Sequence, residues 1–292
     1  MIGVDYIELI DFTCLPQRKK SYGGANGNKL SILLNNELYM LKLPSHAPKN
    51  LNLSYANSCI SEYLGYHIFS LLGILSQETI LGKYNYKGIE RIAVACKDFE
   101  KNGYKLMDFA SVKNQIIDSK TNGYGTDIKD IVETIEKQNL IDPVLLSNHF
   151  WNMFVVDALI GNWDRHNGNW GFLYNQDTDD VKLAPIFDCG SCLFPQMDEE
   201  LAGEVLKNKT QLNARIFDFP TSAITNDSRR INYYKFIKSH EYKECDDAIK
   251  RLKDKIDICM IVNLIESVTY LKPHQKEFLK IIIKKRFEAF CN

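Results

Sequence analysis

Leu159-Ile160-Gly161-Asn162-Trp163-Asp164-Arg165-His166-Asn167-Gly168-Asn169 runs out of an apolar segment into a loop of hydrogen-bonding side chains, and Ile186-Phe187-Asp188-Cys189-Gly190 follows it. Together they set an Asp five residues before an Asn and a second Asp 24 residues after the first. Phosphoryl transfer to a hydroxyl needs this set: one carboxylate to orient the attacking hydroxyl, and an amide oxygen with a second carboxylate to hold Mg²⁺ on the phosphates. Asp164 is therefore the candidate base. Asn169 and Asp188 are the candidate metal ligands, because Mg²⁺ takes oxygen donors in octahedral geometry. His166 has two readings, a phosphate contact or a brace for the loop. Arg165 also has two, neutralising a transferred phosphate or pairing with Asp164. An Asn/Gly/Asp-rich turn is a common composition; order and spacing distinguish this one.

Upstream, Lys42 interrupts the apolar run Tyr39-Met40-Leu41-Lys42-Leu43, and Glu62 interrupts the apolar face of a helix predicted over residues 54–72. Taken singly, each reads as a surface charge. Their order is that of protein kinases, in which a strand lysine reaches the α- and β-phosphates and pairs with a helix glutamate. Earlier still, Ser21-Tyr22-Gly23-Gly24-Ala25-Asn26-Gly27-Asn28-Lys29 carries three glycines in five positions. Such a loop lets the backbone aim N–H groups at phosphate oxygens. It is no Walker A loop, since no Gly-Lys-Ser/Thr opens a helix, and by itself such a loop is more often just a turn.

Around these landmarks the hydrophobic pattern changes period. Residues 30–34 and 37–43 are apolar runs joined by Asn35-Asn36, a hairpin signal. Residues 79–84 and 91–96 read as two more strands turned at Lys87-Gly88, and the helix between the pairs stops near Gly73. From residue 127 the pattern is helical. Ile128, Ile131, Val132 and Ile135 share a face, and Pro143 starts a longer helix that runs into the Asn162 loop. Residues 170–174 and 181–184 are short strands around Asn175-Gln176-Asp177, and the C-terminal third is helical, most clearly over 276–290. The most linker-like stretch is 97–102. The expectation is an α+β fold with two lobes: a β-rich lobe with one helix over 1–98 and a mainly helical lobe over 99–292, with ATP in the cleft between them.

Composition fits a globular chain. The 292 residues are 45% hydrophobic and 25% charged, with a formal net charge of −1, so no global field draws the chain to nucleic acid or anionic membrane. Asp5, Glu8 and Asp11 break any basic-then-apolar leader, and no run of 18 apolar residues spans a bilayer. A cytosolic protein is expected. The eight cysteines are scattered and read as free thiols. Cys189-Gly190-Ser191-Cys192 alone has a motif-like spacing; with no second pair to complete a metal site, it reads as small side chains in a tight loop.

The segments Gly23–Gly27, Ile160–Asn169 and Ala184–Gly190 resemble the HipA-like serine/threonine kinases of bacteria, with the greatest likeness to the cell-translocating kinase A subgroup. The resemblance runs from Tyr22 to at least Arg215. It implies a two-lobed kinase fold, ATP with Mg²⁺, and phosphorylation of protein serine or threonine, including autophosphorylation. By position it makes Asp164 the catalytic Asp and places His166 in the family's Asp-x-His. It makes Asn169 and Asp188 metal ligands and Lys42 the ATP-phosphate lysine, with Glu62 as its partner. Gly23, Gly24, Ala25, Asn26 and Gly27 become the phosphate loop. The main chain at Cys96 to Asp98 falls where adenine is held, and Ser21 matches a regulatory autophosphorylated serine. Two departures stand out. The phosphate-loop lysine expected near Asn28 is displaced to Lys29. The chain also begins almost at the phosphate loop, where typical members carry an N-terminal subdomain that meets an antitoxin. An antitoxin, or a separate chain supplying that subdomain, is thus an open expectation, as is leaderless export as an effector. Two other functions stay open: a kinase of the same fold acting on a lipid or small molecule, and a non-catalytic nucleotide-binding module.

Overall fold

The computed structural model describes residues 10–23, 29–44, 57–117 and 120–291. The first part contains β1 (Ile10–Asp11), β2 (Gln17–Arg18), β3 (Lys29–Leu34), β4 (Glu37–Lys42), α1 (Ser58–Leu71), β5 (Thr79–Tyr86) and β6 (Ile89–Lys97). Its strands form one sheet in the order β1-β5-β6-β4-β3-β2, antiparallel except for the parallel β1–β5 edge. Both hairpins close on two residues with positive φ, Asn35 and Asn36 at 51° and 61°, and Lys87 and Gly88 at 53° and 83°. That geometry matches the right-handed twist of the flanking strands. The expected helix begins later than its periodicity suggests, at Ser58, and residues 54–56 lie outside the described residues.

The remainder starts with β7 (Tyr104–Asp108) and α2 (Phe109–Ile116), followed by α3 (Ile128–Lys137), α4 (Pro143–Ile160), β8 (Gly171–Asn175) and β9 (Asp180–Leu183). It continues through α5 (Glu199–Lys207), α6 (Lys209–Phe217), β10 (Thr221–Asn226), β11 (Arg229–Asn232), α7 (Tyr233–Ser239), α8 (Lys243–Lys253), α9 (Ile258–Ser267) and α10 (Pro273–Cys291). Asp or Asn side chains cap the N-termini of α2 to α7 and of α9, each accepting an N–H that the helix leaves unpaired. Two features differ from expectation. β7 pairs antiparallel with β8 in a three-stranded sheet, and α2 follows it directly. The β10–β11 hairpin also interrupts the helical C-terminal third. Its pattern is faint because Ser222, fully buried, occupies an inward position, and the register shifts between Thr221 and Thr225.

The cores explain how the site is carried. One face of the large sheet closes over Phe12, Ile32, Tyr39, Leu41 and Ala95, a small separate cluster. The opposite face, with Leu81 and Val94, packs on α1, and that packing is continuous with the helical core around Phe150, Trp151, Phe154 and Trp170. α4 is buried almost all round, and Trp170 stacks on Phe109 at 4.0 Å. Each such fully buried large side chain is worth about 1.5–3 kcal/mol. So α1 and α4, which lead to Glu62 and to the Asp164 loop, are rooted in one core. No described helix is long and apolar enough to cross a membrane.

Candidate active site

Four chain segments meet at the site. β4 delivers Lys42 at its last residue and α1 delivers Glu62. α4 ends on Gly161, whose φ of 65° turns the chain sharply into the Asn162–Asn169 loop. A Cβ at residue 161 would lie 2.3 Å from Arg286 Nη1, so only glycine fits this turn. The strand pair β8–β9 then returns the chain to Asp188.

Lys42 Nζ lies 2.9 Å from Glu62 Oε2 and 2.9 Å from Asp188 Oδ1. Glu62 is 3% exposed and uses its other oxygen to accept the Cys189 N–H at 3.1 Å. Helix, strand and metal-candidate segment are thereby tied through one ammonium and one carboxylate. α1 approaches closely because residue 65 is glycine: a Cβ there would sit 2.5 Å from Cys189 Cβ. Residue 190 is less tight, with Glu62 Oε2 3.1 Å from where its Cβ would be. The segment before Asp188 is held to the sheet lobe by Gln77 N–H to Ile186 O at 2.8 Å and Ile186 N–H to Leu75 O at 2.9 Å. Phe187 meets Phe99 with ring centroids 5.6 Å apart.

The charges have a clear logic. Burial alone would lower the Lys42 pKa, but the fields of Asp188 and Glu62 outweigh it and hold the ammonium firmly charged. Lys42 in turn pulls Asp188 down to about 2, with a smaller contribution from Lys29. Asp188 sits deep among protein groups, yet its side chain keeps 42% of its exposure, and its backbone takes φ 57°. It is an anion open to the cleft. Asp164 shows the opposite tendency: its surroundings raise its pKa, burial being the largest cause, with His166 opposing and Asp188 reinforcing. By surface area Asp164 is exposed, so its carboxylate faces solvent from a recess.

Within the loop, Asn162 Oδ1 accepts the Asp164 N–H at 3.1 Å, and Asn169 Nδ2 donates to Asp164 O at 2.9 Å. The second bond fixes the Asn169 amide so that Oδ1 is the end left for a cation. An amide oxygen beside a water-accessible, ionised Asp188 is a donor set that fits Mg²⁺. His166 Nδ1 accepts the Gly168 N–H at 3.1 Å, which is the bracing geometry of its two readings.

Arg165 follows neither of its readings. It is 1% exposed and turned inward, where its Nε lies 2.9 Å from Asp157 Oδ2, itself 1% exposed. It also donates to Asn169 O at 2.8 Å, to Phe187 O, and to Cys189 Sγ at 3.4 Å. One guanidinium thus joins the end of α4, the loop and the Asp188 segment. Burial alone would lower its pKa, but Asp157 more than offsets this and raises it. Asp157, Asn162, and Asn167, whose amide donates to Gly123 O and Gly125 O at 2.9 and 2.8 Å, are the support that sequence reasoning missed. Asp157 carried one usable signal, a carboxylate eight residues before Arg165 within an otherwise apolar helix.

The other expected residues are more dispersed. Gly24, Ala25, Asn26 and Gly27 lie outside the described residues. Gly23 is exposed, and its carbonyl accepts Lys29 Nζ at 2.6 Å. Ser21 is exposed between two anchored neighbours. Lys20 pairs with Asp98 and, at 2.8 Å, with Glu100; Tyr22 Oη donates to Asp98 Oδ2 at 2.8 Å. Asp98, 5% exposed, thus serves as an internal anchor, with its N–H given to Leu38 O at 2.8 Å. Cys96 is fully buried in the ladder between Met40 and Thr79, on the α1 face of the sheet, where the charges of Lys42, Glu62 and Asp188 act on its thiol. Cys189 and Cys192 are buried free thiols, with burial pushing Cys189 up to about 12 and Cys192 well above the usual range.

Comparison with known proteins places this geometry. The family described as HipA-like C-terminal domain matches residues 20–257. The chain belongs to the HipA-like family. This HipA-like chain is 46% identical over 279 residues to the serine/threonine-protein kinase CtkA of Helicobacter pylori strain J99, across 95% of the chain and 85% of that protein. A crystal structure of a Helicobacter pylori proinflammatory kinase CtkA superposes with a TM-score of 0.91 at 43% identity, covering 97% of both chains. HipA of the Shewanella oneidensis MR-1 toxin–antitoxin system, solved with HipB and operator DNA, matches at a TM-score of 0.54 and 10% identity. It covers 94% of this chain and 65% of that one, and the likeness is one of fold.

Proposed function

We propose that this HipA-like chain is an ATP-dependent protein serine/threonine kinase that autophosphorylates, with Asp164, Asn169, Asp188, Lys42 and Glu62 as its working groups. The observation that carries the reading is the meeting of Lys42 with both Glu62 and Asp188 at 2.9 Å, across three elements, beside the Asp164 loop. A surface lysine has no need of two carboxylates, one of them buried on a helix.

The residues divide the work by their chemistry. Lys42 presents a fixed positive charge for the α- and β-phosphates, oriented by Glu62 so that it leaves Asp188 when phosphate oxygens compete for it. Asp164 accepts a hydrogen bond from the substrate serine or threonine hydroxyl and aligns it, since a loose transition state asks little early proton abstraction. Asn169 Oδ1 and the Asp188 carboxylate would hold Mg²⁺, which when bound neutralises charge on the β- and γ-phosphates. The Gly23–Gly27 stretch would cover the phosphates, and adenine would lie against the main chain of the Cys96–Asp98 segment. Ser21 is our candidate autophosphorylation site, because it is exposed while its neighbours are anchored to Asp98. The partners that follow are ATP and a protein bearing serine or threonine; an antitoxin-like second chain is a separate proposal, tested by co-purification. The free thiols among the described residues suit a reducing cytosol.

The test is incubation with γ-labelled ATP and Mg²⁺, followed by phosphosite mapping. Label on serine or threonine is expected, lost in folded Asp164→Asn and Asp188→Asn. A folded Asp164→Asn with undiminished transfer removes Asp164 from the base role. Label found only on an added lipid or small molecule moves the substrate class.

A further inference from the structure

The peptide plane that carries Asp164 is held at both of its polar atoms. Its N–H donates to the Asn162 side chain within the loop, at 3.1 Å. Its carbonyl, that of Trp163, accepts Arg230 Nη2 from outside the loop. One residue earlier, the Asn162 carbonyl accepts the phenol of Tyr233. Arg230 lies on β11 and Tyr233 begins α7, three residues apart, so one short segment grips two successive carbonyls just before the candidate base.

The grip is itself fixed. Arg230 Nε donates to Ser222 O at 2.8 Å and Nη2 also reaches Thr221 O at 3.4 Å, which locks the guanidinium across the β10–β11 hairpin. Tyr233 is 4% exposed and packs on Phe154 of α4 at 5.3 Å between ring centroids. Because a peptide unit is planar, pinning its oxygen and its N–H sets the direction in which the Asp164 Cα–Cβ bond leaves. Only the side-chain torsions then separate the carboxylate from its working position. Arg230 differs from Tyr233 in being exposed, so it can be removed without opening the core.

We infer that Arg230 is a positioning residue for Asp164, acting through the Trp163 carbonyl. The inference rests on the reading of Asp164 as the base. Misplacing a reacting group by about 1 Å can cost on the order of 100-fold in rate, so Arg230→Ala is expected to slow autophosphorylation at saturating ATP by roughly 10- to 100-fold. Half-saturation by ATP should stay within about twofold, because Lys42 is held by Glu62 and Asp188 rather than by the clamp. Arg230→Lys keeps one donor and should fall between Arg230→Ala and the parent.

The deciding measurement is chemical rescue with guanidinium chloride at tens of millimolar, in the full-length chain. Free guanidinium should restore a several-fold part of the rate to Arg230→Ala and leave the parent and Asp164→Asn unchanged. Three results overturn the inference: Arg230→Ala within twofold of the parent; a fall in melting temperature that parallels the rate with no rescue; or a raised requirement for ATP at unchanged maximal rate. If Asp164→Asn retains full activity, the base assignment fails first, and that outcome is separate from a silent Arg230→Ala.

Discussion

The inward arginine makes the sharpest prediction. Arg165 and Asp157 are each 1% exposed, and Asp157 accepts Arg165 Nε at 2.9 Å, Arg165 Nη2 at 3.3 Å and Asn162 Nδ2 at 3.0 Å. Arg165→Met removes the only cation in this set and leaves a buried carboxylate with one amide donor. Breaking a buried pair from one side costs about 3–5 kcal/mol. The same change strips the Asn169 and Phe187 carbonyls of their shared Nη1 donor, and each buried acceptor left unpaired adds about 1–3 kcal/mol, part of which relaxation recovers. A loss of about 4–6 kcal/mol is expected, a large share of the roughly 5–15 kcal/mol that holds a domain together. At about 2–4 °C per kcal/mol for a chain of this size class, the melting temperature should fall by roughly 10–20 °C. Circular dichroism during thermal and urea unfolding measures both quantities. In Asp157→Leu/Arg165→Met the charge is gone from both sides, and at least half of the lost stability should return. Had Arg165 reached into the cleft toward phosphate, Arg165→Met would keep its melting temperature and lose only rate. A folded Arg165→Met that melts within about 2 °C of the parent refutes the buried-pair argument.

Two further predictions concern the histidines and the thiols. His67 and His149 are held at a pKa of about 4, burial being the main cause in each. Their folded values lie below the unfolded value, so stability is complete above about pH 6.5 and is lost as pH falls toward 4, by about 3 kcal/mol at most for each histidine. Urea midpoints from pH 7.5 to 4.5 should therefore fall, and His149→Leu should flatten part of the slope; an unchanged slope sets the argument aside. The thiols give the other prediction. Cys14 and Cys259 are exposed, whereas Cys59, Cys96, Cys189, Cys192 and Cys245 are buried with raised pKa values, burial being the first cause. An aromatic disulfide reagent should label Cys14 and Cys259 quickly in the native protein, Cys291 more slowly, and the buried five only in denaturant. Rapid labelling of Cys189 or Cys192 would refute their burial.

Much of the fold was written locally. The hairpin turns at Asn35-Asn36 and Lys87-Gly88 and the Pro143 start of α4 are set by interactions within a few residues. They were legible without a structure. β7, α2 and the β10–β11 hairpin were not. β7 forms because β8 supplies its ladder from about 65 residues away, and β10 places a buried Ser222 where an apolar residue would have marked a strand.

The site divides in the same way. The sequence by itself determined which chemical types are present and in what order: Lys42, Glu62, Asp164, Asn169 and Asp188 are spaced as phosphoryl transfer requires. Only the tertiary structure decided what each charge faces. Arg165 stands next to Asp164 in the chain, yet it turns to Asp157, because a charge taken out of water must find a partner and the core offers that one. Cys96 is buried under α1, and Arg230 reaches back 67 residues to hold the carbonyl before Asp164. Backbone turns are settled by neighbours in sequence; the partner of a buried charge is settled by whichever segments packing brings against it.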